Sequence, residues 1–221
     1  MYDINADPEG FTSLFQSIDA PFECQVYELS NSNFPESAKT CDAFLVAGSI
    51  KGVYDTDPWI SELFDFIKRC FQAGTKLIGI CFGHQAIAQA LGGYASKSEK
   101  GWGLGLKEFN IIKHRPWMEP ELKSCKLYFT HQDQVKRLPH GAELLGTNDF
   151  CPINIYCIGD KVLGLQGHPE YSFKMIHKTI EELKDQIPED IQTTAFDSIN
   201  GVEPDSKIVA KWIVNFICSG Q

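Results

Sequence analysis

The chain is short of several things, and each gap removes a class of function. No apolar run reaches the roughly 18 residues a helix needs to cross a bilayer, so no stretch reads as a membrane span. There is no Cys-x-x-Cys pair, and no histidine pair stands at ligand spacing beside a cysteine pair, which removes the usual zinc patterns. No Lys/Arg cluster is longer than Lys68-Arg69, and the net charge is -9, a poor electrostatic match for nucleic acid or anionic lipid. The phosphate-binding pattern G-x-x-x-x-G-K-[ST] is missing, so the chain carries no nucleotide-activating loop of that kind. Low-complexity tracts, internal repeats and linkers are also missing. The opening, Met1 to Gly10, is too polar and acidic to read as a secretory signal.

What remains is a globular composition, 43% hydrophobic and 22% charged over 221 residues, enough to bury a full core in one α/β domain spanning 1–221. The eight cysteines are Cys24, Cys41, Cys70, Cys81, Cys125, Cys151, Cys157 and Cys218. Several sit inside apolar runs, where a reduced thiol acts as a small hydrophobe, and a chain of this length needs no disulfide staples. These features predict a reduced, cytoplasmic protein without metal or cofactor.

Two short apolar runs, Asp42 to Ala47 and Lys76 to Ile80, read as buried strands. Between them Ile60, Leu63, Phe64, Ile67 and Phe71 recur at helical spacing. Asp57 is placed to cap that helix, Pro58 suits its first turn and Gly74 its end. This is a β-α-β unit of a parallel sheet. Residues 82–91 predict a second helix stopped by Gly92-Gly93. Runs at 107–113, 125–130, 142–147, 153–158 and 162–166 predict further strands, several joined as hairpins. Helices are expected at about 172–185 and 204–218, and 188–204 is an excursion or a short helix. The start is unusual: Met1 to Asn5 is too polar for the buried strand with which such folds open, and 22–29 alternates well enough to be an early strand.

Three segments carry chemistry. Gly79-Ile80-Cys81-Phe82-Gly83 is a G-x-C-x-G elbow between a strand and a helix. Such a turn lifts its central side chain off the sheet, and the glycines let strand and helix backbones approach. The sulfur then sits at a helix N-terminus, where the dipole favours the thiolate. The plain alternative is one more buried cysteine. In Gly167-His168-Pro169-Glu170 a histidine and a glutamate stand at i and i+2 just after a strand, so the carboxylate can fix the imidazole tautomer. The plain alternative there is a surface turn. Both segments map to carboxyl ends of strands, where α/β sheets collect their chemistry. The third, Ala47-Gly48-Ser49-Ile50-Lys51-Gly52, also follows a strand. The N–H of Ser49, with that of Phe82, suits an oxyanion hole.

Gly-Ile-Cys-Phe-Gly-His-Gln followed at a distance by Gly-His-Pro-Glu resembles the class I glutamine amidotransferase domain over about residues 42–180. The resemblance implies a three-layer α/β/α fold of flavodoxin-like type, with a mostly parallel central sheet plus a small antiparallel part. It also implies a Cys81-His168-Glu170 triad. Residues 100–105, 130–135 and 162–170 are most similar to the stand-alone γ-glutamyl peptidases. From the family, Gly48, Gln85, His131, Gln132 and Asp133 are carried over as contacts for the glutamyl group. Two departures stand out: Gly48-Ser49 replaces the family's glycine pair, and Met1 to Asn5 does not read as the family's opening strand, which is either missing from this chain or rearranged. The expected function is hydrolysis of a γ-glutamyl amide through a thioester, with a small γ-glutamyl compound as partner. The alternative is a glutaminase subunit delivering ammonia to a separate synthetase, and a non-catalytic scaffold is a third reading. Trp102 is the one tryptophan that suits a pocket wall; His84 is read as packing or capping within its helix.

Overall fold

The computed structural model describes residues 8–219. In chain order the elements are α1 (Pro8–Gln16), a 3-10 turn (Leu29–Asn31), β1 (Ala43–Val46), α2 (Pro58–Ala73), β2 (Lys76–Ile80), α3 (Phe82–Ala90), β3 (Tyr94–Lys97), β4 (Gly103–Ile111), β5 (Ser124–His131), β6 (Asp133–Arg137), β7 (Glu143–Thr147), β8 (Ile155–Ile158), β9 (Val162–Leu165), α4 (Phe173–Glu182), α5 (Glu189–Ile199) and α6 (Ser206–Cys218). Seven strands form one sheet in the order β1-β2-β9-β8-β7-β4-β5, and β3 pairs with β6 in a small second sheet. The β1-β2 and β2-β9 pairs are parallel, and the rest of the large sheet is antiparallel. The α/β class expected from the sequence is the observed one, but the sheet is mixed rather than mostly parallel: two of its six strand pairs are parallel and four are antiparallel, because the hairpin-joined strands β4, β5, β7 and β8 belong to it.

Strand alternation sorts the core into two layers. Phe44, Val46 and Leu77 face α2 and α3, where they join Ile60, Leu63, Phe66 and Ile67. Ile78 and Ile80 face the other side, where Phe11 and Phe15 of α1 and Val209, Trp212, Ile213 and Phe216 of α6 cover them. Residues at i, i+3, i+4 and i+7 of α6 make one apolar stripe, the pattern of a helix laid on a sheet. A third cluster, Leu104, Tyr128, Ile176, Ile180 and Ile187, holds α4 and α5 against β4 and β5.

Where chemistry is simple the elements fall as expected. Helix α2 starts at Pro58 and is closed by Gly74 in the left-handed region at φ 78°. Asp57 occupies the cap position but makes no capping bond; its carboxylate pairs with Lys51 Nζ at 3.1 Å instead. The stretch 188–204 is mostly helix α5. Two expectations are corrected. Residues 22–29 form no strand: the chain runs there irregularly beside β1, with Val26 exposed and Phe22 packed on Phe15 at 5.2 Å. Helix α1 was not foreseen, because its helical spacing rests on Phe11, Leu14 and Phe15 alone within nine residues, too short a run to stand out. Met1 to Asn5 lie outside the described residues.

The sheet curls. His168, three residues past β9, donates its N–H to the Tyr128 carbonyl of β5 at 2.8 Å and forms an isolated bridge with it. The last strand in sheet order thus returns to the carboxyl end of β9. That curl carries His131, at the end of β5, back toward the strands that bear Cys81.

The elbow glycines are demanded by close backbone approach. A Cβ on Gly83 would lie 2.0 Å from the Val46 carbonyl oxygen, and one on Gly79 would lie 2.5 Å from the Gly83 carbonyl. Both obstacles are backbone and cannot swing aside. Gly83→Ala is expected to cost about 3 kcal/mol or more, the upper end for overpacking, or to abolish soluble expression. Urea unfolding of the variant checks this, and a cost under about 1 kcal/mol contradicts the packing argument.

Candidate active site

The first strand-end feature is Cys81. It joins β2 to α3 with φ 52° and ψ -105°, a conformation that glycine adopts freely and other residues adopt only under constraint. Its N–H donates to Leu165 O at 2.9 Å, which anchors the turn to β9. The side chain is 6% exposed, so the thiol sits in a recess while keeping a path to solvent. Phe82 opens α3, and its N–H belongs to the first helical turn, where no intrahelical acceptor exists. The Phe82 ring packs on Trp59 at 5.5 Å, so its backbone is the part left for chemistry.

Gly48 brings the second feature to the first. A Cβ built on Gly48 would be 3.0 Å from Cε1 of His168 and 3.8 Å from Cβ of Cys81. One point thus neighbours both side chains, and any side chain at position 48 would press on the imidazole. His168 is 2% exposed, and its Nδ1 lies 2.7 Å from Oε1 of Glu170. Both side chains of this pair are buried. Helix α1 lies against Glu170: a Cβ on Gly10 would lie 3.2 Å from its backbone carbonyl oxygen and 3.6 Å from its Cβ and Cγ. Burial disfavours a charged imidazole, yet Tyr171, Glu170 and Cys81 together outweigh it and raise the His168 pKa well above 6.5. The structure therefore favours an imidazolium whose Nδ1–H faces the carboxylate. His168 Nε2 meets no nitrogen or oxygen partner among the described residues, and the side chain it interacts with is that of Cys81.

The loop after β1 is held by local bonds. Lys51 donates its N–H to Ser49 Oγ at 2.9 Å, and Gly52 donates to Asp55 Oδ2 at 3.0 Å. Tyr54 folds over Gly52, and its hydroxyl donates to Asp133 Oδ1 at 3.1 Å. The loop is thereby tied to the β5-β6 corner.

That corner holds the other expected residues. Gln85 is buried, and its amide donates to the Asp133 carbonyl at 2.8 Å and to Gln166 Oε1 at 3.2 Å. Its side chain is thus engaged in bracing the corner against α3. His131 Nδ1 lies 2.9 Å from the same carbonyl, and its ring stands edge-on to Phe150 at 5.9 Å. Burial holds the His131 pKa down to about 3, so this ring is neutral. The Gln132 carbonyl accepts from the Ser98 N–H at 2.9 Å. Asp133 is half-buried, and burial raises its carboxyl pKa. The structure gathers Gly48, Cys81, His168 and Glu170 closely, with Gln85, His131, Gln132 and Asp133 on the adjoining corner. Trp102 packs, with Tyr171, against the cluster under α4 and α5. His84 packs on Tyr156 at 4.9 Å, and its buried nitrogens lie near the Gly164 and Ile153 backbone without reaching hydrogen-bond geometry.

Three residues of the site escaped the sequence reading. Tyr54 gave no signal, because nothing in a glycine-bearing loop says which side chain will reach across it. Gln166 did give one: it is a polar residue at the end of an apolar strand, and it is fully buried. Tyr171 follows the His-Pro-Glu segment directly, and only the structure shows its ring on His168. Among the described residues no group of three His, Cys, Asp or Glu side chains is arranged to hold a metal ion.

Comparison with known proteins bears on the family and the fold. Gamma-glutamyl peptidase 2 of Arabidopsis thaliana is 29% identical over 218 residues, covering 94% of this chain and 88% of that protein. A GMP synthase (glutamine-hydrolyzing) of Aquifex aeolicus is 33% identical, but over only 50% of this chain and 22% of that protein. In structure, a glutamine amidotransferase from Thermotoga maritima superposes with a TM-score of 0.81 at 18% identity, covering 99% of this chain and 97% of that one. The sequence profile described as glutamine amidotransferase class-I matches residues 13–184, and the chain belongs to that family.

Proposed function

We propose that this protein is a thiol hydrolase that cleaves the γ-amide bond of a small γ-glutamyl compound of the glutathione type. The observation that carries this reading is the cysteine held at positive φ at the head of α3, beside a buried imidazole–carboxylate pair. In this reading the Cys81 thiolate attacks the γ-carbonyl carbon, forming an S–C bond and an oxyanion. The N–H groups of Ser49 and Phe82 receive that oxyanion. As the C–N bond breaks, imidazolium His168 gives its proton to the leaving amine. His168 then takes a proton from water, whose oxygen displaces the sulfur and releases the glutamyl carboxylate. Glu170 keeps the imidazole in the tautomer that presents Nε2 to the sulfur.

The glutamyl end is assigned to Gly48, Gln85, His131, Gln132 and Asp133. Of these only Asp133 offers a carboxylate toward the Tyr54 side of the corner, which suits an α-ammonium group. Gln85 and His131 contribute by fixing the corner's backbone. Similarity to a γ-glutamyl peptidase over nearly the whole chain supports a stand-alone hydrolase. The partial match to GMP synthase supports the glutaminase reading less, since it covers half of this chain. We also place the protein in the cytoplasm: all eight cysteines are free thiols, which suits a reducing compartment, and no described helix is long and apolar enough to cross a membrane.

The test is mass spectrometry of the protein quenched during turnover of glutamine and of glutathione, with kcat/KM measured for each. We expect a glutamyl adduct on Cys81 and at least about tenfold preference for the γ-glutamyl peptide. A strong preference for glutamine would favour the glutaminase reading. An adduct on any other residue would overturn the nucleophile assignment.

A further inference from the structure

His168 is restrained on several sides. Its backbone is pinned by the N–H bond to Tyr128. Its Nδ1 is tied to Glu170, and Gly48 leaves room for Cε1 only by lacking a side chain. None of these contacts covers a face of the ring. Tyr171 does: its ring centroid lies 4.1 Å from that of the imidazole, with the planes 26° apart. Tyr171 is itself half-buried and packs with Trp102 and Leu106 against the Leu104-Tyr128-Ile176-Ile180 cluster beneath α4 and α5. A ring backed by a packed layer cannot swing away from the face it covers.

We propose that Tyr171 is a positioning residue, whose stacked ring fixes the plane in which His168 exchanges a proton with the Cys81 sulfur. The proposal rests on reading His168 as the acid–base group. Two physical effects act together. Stacking removes rotation about the imidazole's remaining free axis, which keeps Nε2 aimed at one place. The aromatic face also attracts an imidazolium more than a neutral imidazole. The titratable groups facing His168 are Tyr171 and Glu170 on its own segment, Cys81 at the β2–α3 turn and His131 at the end of β5. His131 is neutral and buried, so Tyr171 and Glu170 are the neighbours that can favour the charged ring while the sulfur is occupied by substrate.

The test compares Tyr171→Phe with Tyr171→Leu in the full chain. Phenylalanine keeps the stack and removes the hydroxyl, while leucine keeps apolar bulk and removes the stack. We expect Tyr171→Phe to stay within about threefold of the parent in kcat. Tyr171→Leu should lose at least about tenfold in kcat with KM changed less than about threefold, and the limb of its pH profile set by His168 should move to lower pH. A parallel NMR titration of histidine-labelled protein, with the His168 signal assigned by His168→Gln, reads the same shift without substrate. It also reports whether each variant is folded. Unchanged kcat and an unchanged His168 titration in Tyr171→Leu overturn the proposal. So does a loss confined to KM, or an equal loss in Tyr171→Phe, which would credit the hydroxyl. If the parent hydrolyses no γ-glutamyl amide, the functional reading fails. The titration then still decides whether Tyr171 governs His168.

Discussion

Cys81→Ala is expected to abolish hydrolysis of γ-glutamyl amides, with kcat lowered at least about 10⁴-fold, while the fold survives. The alanine keeps the Cβ and removes only the sulfur, and position 81 contributes little core volume that its neighbours cannot retain. Cys81→Ser should also lose most activity, because a hydroxyl is far harder to ionise than a thiol at a helix N-terminus. The backbone supplies a second, independent expectation at the same position. With φ at 52°, an L side chain at residue 81 is strained by about 1–2 kcal/mol. Cys81→Gly releases that strain, less roughly 0.5–1 kcal/mol for the greater freedom of glycine in the unfolded chain. The inactive Cys81→Gly variant should therefore melt at or a few degrees above Cys81→Ala. Steady-state assays and thermal melts of the purified variants check both parts. Wild-type turnover in Cys81→Ala ends the assignment, and a lower melting temperature in Cys81→Gly ends the strain argument.

Acid should destabilise this protein well before its carboxylates are neutralised. His84 and His131 are both buried, and burial is the main reason their pKa values fall from 6.5 to about 3. Between those limits the unfolded chain binds protons that the folded chain refuses, so stability falls as pH falls. Above pH 6.5 neither ring costs anything. Each decade below it costs about 1.4 kcal/mol per ring, so by pH 4.5 the two together remove roughly 5 kcal/mol. That is a large share of the 5–15 kcal/mol of an ordinary domain.

His168 has the opposite sign. Its pKa is raised in the folded state, so its contribution is fully present below 6.5 and is lost only as pH climbs through the raised value. It adds nothing to the acid loss. Burial raises the Asp133 carboxyl, so that group opposes the trend only near the carboxylate range. Urea midpoints measured from pH 7.5 to 4.5 should fall steeply below 6.5. His84→Gln, even if less stable at pH 7.5, should show about half the slope. A flat profile across that range would mean the buried rings take up protons at little cost.

The polar core around the site explains why these two histidines are where they are. His131 sits at the corner that Gln85 braces, and His84 sits one turn along α3 from Cys81, against Gly164 of β9. A Cβ on Gly164 would fall 2.8 Å from His84 Nδ1 and 2.5 Å from the Tyr156 ring. Tyr156 in turn donates its hydroxyl to the His84 carbonyl at 2.9 Å. The elbow is thus supported from below by neutral aromatic packing.

Much of this was legible in the sequence, and the particular residues show why. Lys76 to Ile80 and Pro58 to Ala73 are bounded by local signals: an apolar run too short for a helix, a proline at a first turn and a glycine at a left-handed cap. Gly79 and Gly83 are readable because a close approach of backbones excludes every other residue. What failed was local in appearance and tertiary in cause. Residues 22–29 alternate like a strand, yet form no named strand: Glu28 makes a single bridge and the stretch before it is irregular. Strands β3 and β6 are short and polar, and they exist only because each pairs with the other.

By itself, then, the order of residues determined where the sulfur stands, that a carboxylate follows the imidazole by two positions, and that β1 and β2 are parallel neighbours joined through α2, because hydrogen bonds and steric limits between near neighbours settle those matters. The curl of the sheet was decided only in three dimensions. It joins Tyr128 to His168 and swings the His131–Asp133 corner beside the elbow. Those contacts link segments dozens of residues apart, and their energy comes from packing whole layers together, which no local pattern encodes.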